Sequence, residues 1–434
     1  MWKYKGAIRF FLSILAVTFV QMGVFIYAQK ILSGSFAGVE GGQNWQSLML
    51  QIFFIAPYVI FVWAAGLFSN KFSKNKVLAW SSLFMTAFVI AMAVLVTCGV
   101  PRVAFWLCIG LSTGFAVHSA AKYAVLKEMF GVRNLSYANA FLQIFSLSGI
   151  IAASWLAIVG VNLIDLGSLA KYEAVGRIIS KSVVIPWILV GVSVLGTVAS
   201  FLIPKVKYAD PNVSFTTARR RFSLGWRQRP LRATIIALSM FWAMAQVFTL
   251  LFQDVSGSET VNMIQNYLPF AIGGLMVGSI FAARNSKDFI ETGFIPLGMI
   301  GASLCMLLIP FMVHPVALSV IYVLVGFFGG MFLVPVNALL QYNTRPNNSG
   351  WVIALANLIQ AVILGIFLVL YSVMVHYTHI RPQLYFVGLG LISLCVFAWT
   401  ITNLPQALLR SLLRLVFSRH KIRVLNVGNI PNAG

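Results

Sequence analysis

Twelve apolar stretches, separated by short polar breaks, extend from Ala7 to Asn403. Most are about 20 residues long, which is the length that an α-helix needs to cross about 30 Å of hydrocarbon. Because 60% of the residues are hydrophobic and only 9% are charged, the chain lacks the polar residues that would cover a water-facing surface. The sequence therefore predicts an all-α, multi-pass membrane protein with spans near 7–29, 46–68, 77–98, 103–126, 136–160, 183–203, 232–252, 263–283, 292–312, 316–340, 350–375 and 383–403.

The formal net charge of +22 is concentrated in alternate breaks between the predicted spans. Lysine and arginine residues crowd the N-terminus, the break after span two, the break between spans six and seven, and the segment after span twelve. This asymmetry is the positive-inside pattern, so both termini are expected in the cytoplasm. The basic face would lie against anionic lipid headgroups. Membrane lipids are therefore the expected partners of these cations, and nucleic-acid binding is not predicted.

The longest and most basic polar break divides the twelve spans six and six. Span four carries glycines four residues apart at Gly110 and Gly114, and span ten carries Gly326 and Gly330 at matching depth. A parallel duplication would leave this signature, and close packing between helices would also require it. The predicted organisation is an N-terminal six-helix bundle over 1–203, a basic cytoplasmic linker over 204–231, a C-terminal six-helix bundle over 232–403 and an amphipathic cytoplasmic tail over 404–434.

The break after span two reads GLFSNKFSKNK and extends from Gly66 to Lys76. It resembles the loop signature of the major facilitator superfamily, in which a glycine, an aspartate and basic residues link spans two and three. Asn70 stands where the aspartate is expected, so the acidic partner of a gating charge relay is missing there. With twelve spans and a basic central loop, the resemblance implies the major facilitator superfamily fold, with Gly66, Asn70, Lys74 and Lys76 in a gating loop.

Chemical motifs inside the spans are few. All nine acidic residues lie outside the middle of the predicted spans, although a proton-coupled carrier usually holds a carboxylate there. His118 is either a substitute proton carrier or a histidine that is hydrogen-bonded inside the bundle. The sequence has no G-x4-G-K-[ST] phosphate loop, no H-x4-D pair and no zinc-type cluster. We therefore expect a protein that is not an enzyme and binds no metal or cofactor.

Uncharged polar residues recur inside the spans. Asn139 and Gln143 are four residues apart, and Asn357 and Gln360 are three apart, so each pair shares a helix face. Such groups in a bilayer must find hydrogen bonds or water, and they therefore either join helices or line a cavity. Lys122 in span four either extends to the headgroup level or contacts a phosphate. The candidate substrate-binding residues are Gln21, His118, Lys122, Tyr123, Asn139, Gln143, Gln246, Asn337, Asn357 and Gln360.

Two segments resemble the bacterial lysophospholipid transporter family. They are HSAAKYAVLKEMF (118–130), followed by Asn139, and GGMFLVPVNALLQ (329–341), followed by ALANLIQ (354–360). Members of that family flip lysophospholipids, chiefly lysophosphatidylethanolamine, from the outer to the inner leaflet of the bacterial inner membrane for re-acylation. The resemblance covers all twelve spans and implies this substrate class, this membrane and an alternating-access mechanism. It also implies that the headgroup meets Lys122, His118, Tyr123 and the polar residues of the other spans.

Two charged residues of that family's pattern are absent. The family usually carries an aspartate in span one, and some members carry an arginine in span seven. The corresponding stretches here read QMGVFIY (21–27) and FWAMAQVFT (241–249), with no charge in either. A headgroup site or gate built on those charges cannot work in the same way in this chain, which leaves open an altered substrate preference, a weaker flippase or a degenerate copy.

The C-terminal segment predicts a partner enzyme. RVLNVGNIPNAG (423–434) is similar to the opening of the glycerophospholipid acyltransferase domain that is fused to this transporter in many bacteria. The expectation is a fragment or one part of a split fusion, with a glycerophospholipid acyltransferase or acyl-carrier-protein synthetase as the partner. Just before it, Leu404–Phe417 places Arg410 and Arg414 among leucines, as in a helix that lies in the cytoplasmic interface. Two other functions stay open, namely a permease for a small soluble solute and a non-transporting membrane anchor for an acyltransferase.

Overall fold

The computed structural model describes residues 4, 6–35, 42–156, 181–206, 214–255, 261–286, 289–312, 314–345, 348–377 and 382–416. Within these ranges the secondary structure consists of α-helices and two short 3-10 turns, and no strand is present. The helices are α1 (Ala7–Ser35), α2 (Gly42–Ile60), α3 (Val62–Lys71), α4 (Lys74–Thr97), α5 (Pro101–Phe130), α6 (Leu135–Trp155), α7 (Lys181–Phe201), α8 (Phe215–Trp226), α9 (Arg229–Val255), α10 (Val261–Arg284), α11 (Phe294–Leu308), α12 (Pro315–Tyr342), α13 (Ser349–Tyr377), α14 (Pro382–Asn403) and α15 (Pro405–Val416).

The long helices confirm the all-α membrane class. Among the described residues, nine helices are long and apolar enough to span a membrane, or ten if the bent pair α2–α3 forms one span. The other two expected spans coincide with α5, a helix of 30 residues, and with α10, whose apolar part is Leu268–Arg284. By length and composition alone, the predicted count of twelve spans is therefore met only in part.

The second expected span is not one straight helix. α2 and α3 meet at Phe61 with a bend of 52°, and Pro57 lies in the last turn of α2. Proline has no backbone N–H to donate and crowds the preceding turn, so bends are common near it. α3 continues to Lys71 and α4 begins at Lys74. The expected gating loop over 66–76 is thus mostly helical, and only two residues separate the two helices.

The two halves of the chain use the same packing partners. In the first half, α1 packs against α6 and α7, and α4 packs against α5 and α7. In the second half, α9 packs against α13 and α14, and α11 packs against α12 and α14. Each of these pairs has its counterpart six spans later. The predicted domain limits themselves stay a prediction.

Close backbone contact between α10 and α12 depends on glycine. A methyl group at Gly274 or Gly278 would collide with the backbone carbonyls of Val323 or Phe327. In return, a methyl group at Gly326 would collide with the carbonyl of Ala271. Small residues at a helix interface allow this approach, so the glycines that the sequence analysis marked in span ten serve packing.

The outside of the bundle is apolar. Trp80, Leu195, Ile366 and Leu370 are each more than half exposed, which suits contact with lipid chains. α15 also exposes Leu409, Leu412, Leu413 and Val416. It is held at the start of α11 by a hydrogen bond of 2.6 Å from the Ser411 hydroxyl to the carbonyl of Gly293. A helix with this exposed leucine face suits the membrane interface that its sequence predicts.

Arg9, Lys127, Arg345 and Arg410 lie at one end of the bundle, which we call the basic end. Helices α1, α4, α6, α9, α11 and α13 start at this end, and helices α3, α5, α7, α10, α12 and α14 end there. Contacts between the two halves are concentrated at this end, where α3 and α5 meet α13, and α6 meets α10 and α12. Two small hydrophobic clusters, one around Trp351 and one around Ala140, fill this junction.

Candidate functional site

The ammonium of Lys122 lies inside the bundle and not at its surface. Lys122 is 7% exposed, and its Nζ lies 5.4 Å from the ring centroid of Phe115 and 5.2 Å from that of Tyr123. Each such cation–π contact stabilises an ammonium by about 0.5–2 kcal/mol. Within the described part of the chain, Lys122 has neither a carboxylate partner nor a hydrogen-bond acceptor. A snorkelling lysine would extend toward the headgroups. The Lys122 ammonium instead stays inside the bundle, and its N–H groups have no acceptor among the described residues.

Lys122 shares a helix face with residues at the junction of the two halves. Phe115, Ser119 and Lys122 follow each other at helical spacing along α5. The Asn357 amide of α13 donates a hydrogen bond of 3.2 Å to the Ser119 hydroxyl, and the Tyr58 ring of α2 packs edge-on against Phe115, with ring centroids 6.4 Å apart. The face of α5 that carries Lys122 therefore lies against α13 from the opposite half.

His118 faces a different direction. Its Nδ1 lies 3.2 Å from the Ser81 hydroxyl of α4, so the imidazole is held inside the first half. Its Nε2 has no hydrogen-bond partner, although the residue is only 1% exposed. Of the two alternatives for His118, hydrogen bonding inside the bundle is the one that the geometry favours.

Tyr123 connects α5 to α6. Its hydroxyl lies near Gln143 of α6, and the Nε2 amide group of Gln143 has no hydrogen-bond partner. Gln143 is 3% exposed. An unpaired buried amide donor costs roughly 1–3 kcal/mol, so Gln143 is a group that a ligand with hydrogen-bond acceptors would satisfy.

Asn139 is occupied by a contact between the halves. Its amide and that of Gln341 on α12 exchange two hydrogen bonds, of 3.1 Å and 2.9 Å, and both side chains are at most 3% exposed. Asn337, one turn earlier on α12, instead donates to the carbonyl of Leu333 in its own helix. The sequence analysis missed Gln341, although its spacing of four from Asn337 places the two on one face.

Lys127 forms a second contact between the halves that the sequence analysis missed. Its Nζ donates hydrogen bonds to the carbonyls of Gln341, Tyr342 and Thr344, at 3.2, 3.0 and 2.7 Å. These carbonyls are at the C-terminal end of α12, where the last turn has no intrahelical donors and the helix dipole favours a cation. From sequence, Lys127 is one of several cations at a cytoplasmic helix end, and nothing in its spacing indicates this role.

Asn70 connects α3 to α13. Its side-chain oxygen accepts a hydrogen bond of 3.0 Å from the backbone N–H of Gly350 in the first turn of α13. Gly66, one turn earlier, lies against the ring of Trp351, which is fully buried. Asn70 thus satisfies one of the N-terminal donors of a helix in the opposite half without carrying a charge. We refer to the Lys127, Asn139–Gln341 and Asn70–Gly350 hydrogen bonds together as the basic-end contacts.

Lys74 does not lie in a solvated loop. It begins α4, and its ammonium forms an ion pair with Glu128 of α5, with both side chains 1% exposed. The acid that pairs with Lys74 is thus Glu128 of α5, while position 70 carries the uncharged Asn70. Lys76 is exposed, so only three of the four gating residues enter the interior.

The other candidate residues are not brought to Lys122. Gln21 of α1 lines a small recess inside the first half, together with Ser82, Ser193 and Thr197. Gln246 and Gln360 are partly buried, and neither forms a hydrogen bond with Lys122 in the described part of the chain. The described residues also contain no cluster of three metal-binding side chains. The candidate site thus consists of Lys122, Tyr123, Gln143, Ser119 and Asn357, closed at the basic end by the basic-end contacts.

Comparison with known proteins identifies the family. Residues 9–370 match the family model of the major facilitator superfamily. The chain is 26% identical over 344 residues to the lysophospholipid transporter LplT of Salmonella arizonae, which covers 76% of this chain and 80% of that protein. It is 27% identical over 379 residues to the LplT of Cronobacter sakazakii, which covers 83% of this chain and 86% of that protein.

Solved structures show the same fold. The fucose transporter FucP in its outward conformation matches with a TM-score of 0.68 and 14% identity, covering 90% of this chain and 98% of that chain. The human organic anion transporter MFSD10 matches with a TM-score of 0.70 and 12% identity, covering 91% of this chain and 99% of that chain. At such identities the likeness concerns the fold alone. With the family model matching more than four fifths of its length, the chain belongs to the major facilitator superfamily.

Proposed function

We propose that the protein is a lysophospholipid transporter that moves its substrate between the leaflets of the bacterial inner membrane. Sequence relatives that cover most of the chain are lysophospholipid transporters. The single observation that carries the proposal is the Lys122 ammonium, which is buried at the junction of the halves without a carboxylate partner among the described residues. An ammonium in this setting binds a phosphate through charge-assisted hydrogen bonds.

Alternating access would work through the basic-end contacts. Lys127, the Asn139–Gln341 pair and the Asn70–Gly350 bond each join the first half to the second. While they persist, the path from Lys122 to the basic end is closed. Breaking them would open this path, and a substrate that binds the two states with different affinity shifts the balance between them.

The two parts of a lysophospholipid need different surroundings. The phosphate would meet Lys122, and Tyr123, Gln143 and Asn357 would hydrogen-bond the rest of the headgroup. The single acyl chain would remain against apolar helix faces or in the surrounding lipid, which costs far less than enclosing it in a polar cleft. Lysophosphatidylethanolamine, the chief substrate that the family resemblance implies, is the first lipid to test.

The orientation of the protein follows from its charge. The basic end carries most of the lysine and arginine residues that flank the helices, so it and both termini would face the cytoplasm. A substrate released there reaches the inner leaflet, where a glycerophospholipid acyltransferase or acyl-carrier-protein synthetase could re-acylate it.

Uptake into spheroplasts that lack their own transporter tests the function. Labelled lysophospholipids with ethanolamine and glycerol headgroups are supplied outside, with cells expressing the wild-type chain, Lys122→Ala, or the control Lys205→Ala. Lys205 is an exposed lysine after α7, so this control removes one charge without touching the site. We expect uptake with the wild type and the control, and at least a tenfold loss with Lys122→Ala.

Membrane insertion is measured for every variant by in-gel fluorescence of a C-terminal tag. Insertion without uptake of either lipid would refute the transporter function and leave a soluble-solute permease or a membrane anchor. If the chain is a membrane anchor, Lys122→Ala and Asn337→Ala should both leave its function unchanged, because neither substitution affects attachment to the membrane.

A further inference from the structure

We propose that the site selects lysophospholipids whose headgroup is net negative, such as a phosphoglycerol, over zwitterionic ones such as phosphoethanolamine. This inference rests on the proposed function and concerns only the class of headgroup. It follows from three observations, namely a surplus of hydrogen-bond donors around Lys122, the absence of a nearby acid among the described residues, and the use of both aromatic faces by Lys122 itself.

The unsatisfied polar groups at the site are hydrogen-bond donors. The Lys122 ammonium offers three N–H groups, none of which reaches an acceptor in the described structure. The Gln143 amide adds a buried N–H2 group without a partner. A phosphodiester presents acceptor oxygens and one negative charge, so it satisfies these donors and neutralises Lys122 at the same time.

An ammonium on the substrate would find no carboxylate there. Three of the nine acidic residues lie in the described structure. Glu128 is the acid nearest to Lys122 along α5, and Lys74 already pairs with it. Glu291 lies near the start of α11 at the basic end and accepts a hydrogen bond from the Gly293 N–H. Asp254 is in the last turn of α9, at the end of that helix opposite the basic end.

The aromatic rings give no alternative site for a substrate ammonium. Rings can bind such cations through their faces, but the Phe115 and Tyr123 rings beside the site already carry the Lys122 ammonium. A second cation in this region would be repelled by Lys122 and lack a counter-charge. Leaving a buried charge uncompensated is far more costly than pairing it.

The neutral polar groups suit a headgroup with hydroxyls. Asn357 and Ser119 already form a hydrogen bond with each other at the junction, and both can exchange partners because each has donor and acceptor atoms. A glycerol headgroup can use either kind of atom. The bound complex would then contain one positive and one negative charge, so that neither buried charge is left unpaired.

Flipping by the purified full chain in proteoliposomes tests the selectivity. Lysophosphatidylglycerol and lysophosphatidylethanolamine carry the same fluorescent acyl chain, so that only the headgroups differ. The vesicles consist of phosphatidylcholine, so that surface potential favours neither lipid. Extraction of outer-leaflet label by albumin gives the two rates. We expect the glycerol lipid to move about tenfold faster than the ethanolamine lipid, and Lys122→Gln to remove most of this difference.

Variants that add a negative charge to the site give the second test. Asn357→Asp and Gln143→Glu each add a carboxylate next to the Lys122 site and should raise the ethanolamine rate relative to the glycerol rate by about tenfold. The control is Gln406→Glu on the exposed face of α15, which should leave the ratio unchanged.

The outcomes separate the two proposals. Equal rates for the two headgroups in the wild type, or an unchanged ratio in both acidic variants that still flip lipid, would overturn the selectivity while leaving the transporter function intact. Failure of the wild type to flip either lipid would overturn the transporter function itself.

Discussion

Two lysines on one helix have different roles because of a difference in their surroundings. Lys122 and Lys127 are five residues apart on α5, so they point to different sides of the helix. Lys122 is held by aromatic rings and has no acceptor among the described residues. Lys127 donates to three carbonyls at the end of α12. In the described structure Lys122 therefore keeps its N–H groups without acceptors, whereas Lys127 joins the two halves.

Substitution of Lys127 should weaken this closure. Lys127→Met keeps the length and apolar stem of the side chain but removes the charged hydrogen bonds, which contribute on the order of 1.5–3 kcal/mol. We expect the population that is open at the basic end to rise about tenfold. Pulsed electron paramagnetic resonance between spin labels at Arg133 and Arg345, with the native cysteines replaced, measures the distance between the halves.

The control for this prediction is Lys205→Met, which alters an exposed lysine of the same end. The distance distribution should not change with that substitution. A distribution for Lys127→Met that matches the control would show that these three hydrogen bonds do not govern the closed state.

At the scale of helices, packing depends on specific glycines and not on glycine content. Gly273 and Gly274 are adjacent on α10, but only Gly274 faces α12, where an added methyl group would lie 2.8 Å from the carbonyl carbon of Val323. A methyl group at Gly273 would meet nothing within 4 Å. The sequence places both in one span, and only the direction of each Cα–H bond distinguishes them.

This pair provides a matched test of helix packing. Gly274→Ala should force α10 and α12 apart and lower stability by about 1–3 kcal/mol, the usual cost of overpacking. Gly273→Ala should be neutral or slightly stabilising, because alanine favours the helix. The midpoint of thermal unfolding in detergent, followed by tryptophan fluorescence, compares the two. Equal midpoints would contradict the close contact between α10 and α12.

For the complete bundle, the distribution of charge predicts the orientation in the membrane. The helices begin and end so that Lys205 and the other cations of the breaks lie at the basic end, while the turn at Gly99 between α4 and α5 lies at the opposite end. The preference of lysine and arginine for the cytoplasmic side should therefore place Lys205 inside and Gly99 outside.

Alkaline phosphatase fusions test this orientation, because the enzyme is active only outside the cytoplasm. We expect high activity for a fusion after Gly99 and low activity for one after Lys205. A green fluorescent protein fused at the same two sites should give the opposite pattern, since it fluoresces in the cytoplasm. Phosphatase activity after Lys205 would reverse the proposed direction of transport.

Much of this architecture was predictable because a bilayer imposes simple requirements on a sequence. The length of the apolar stretches indicates helices that cross the membrane. Lys122 and Asn357 could be predicted as candidate site residues, because polar groups are costly inside a membrane span. The bend between α2 and α3 was not predicted, since Pro57 indicates a disturbance but no angle. Gln341 was not predicted as a site residue, because its spacing from Asn337 indicates a shared helix face but not its partner Asn139 on α6.

The amino-acid sequence alone was enough to assign the all-α membrane class, the position of most helices and the polar groups that are unusual in a membrane. These properties depend on local length and polarity, because in a bilayer each segment must satisfy its own backbone hydrogen bonds. Which polar side chains are hydrogen-bonded to a partner became known from the packing of the helices. Asn139 meets Gln341 about 200 residues away, Lys74 meets Glu128 and Lys127 meets the end of α12, whereas the Lys122 ammonium lies against two aromatic rings. Such pairings depend on how the helices pack against each other, and no local pattern encodes them.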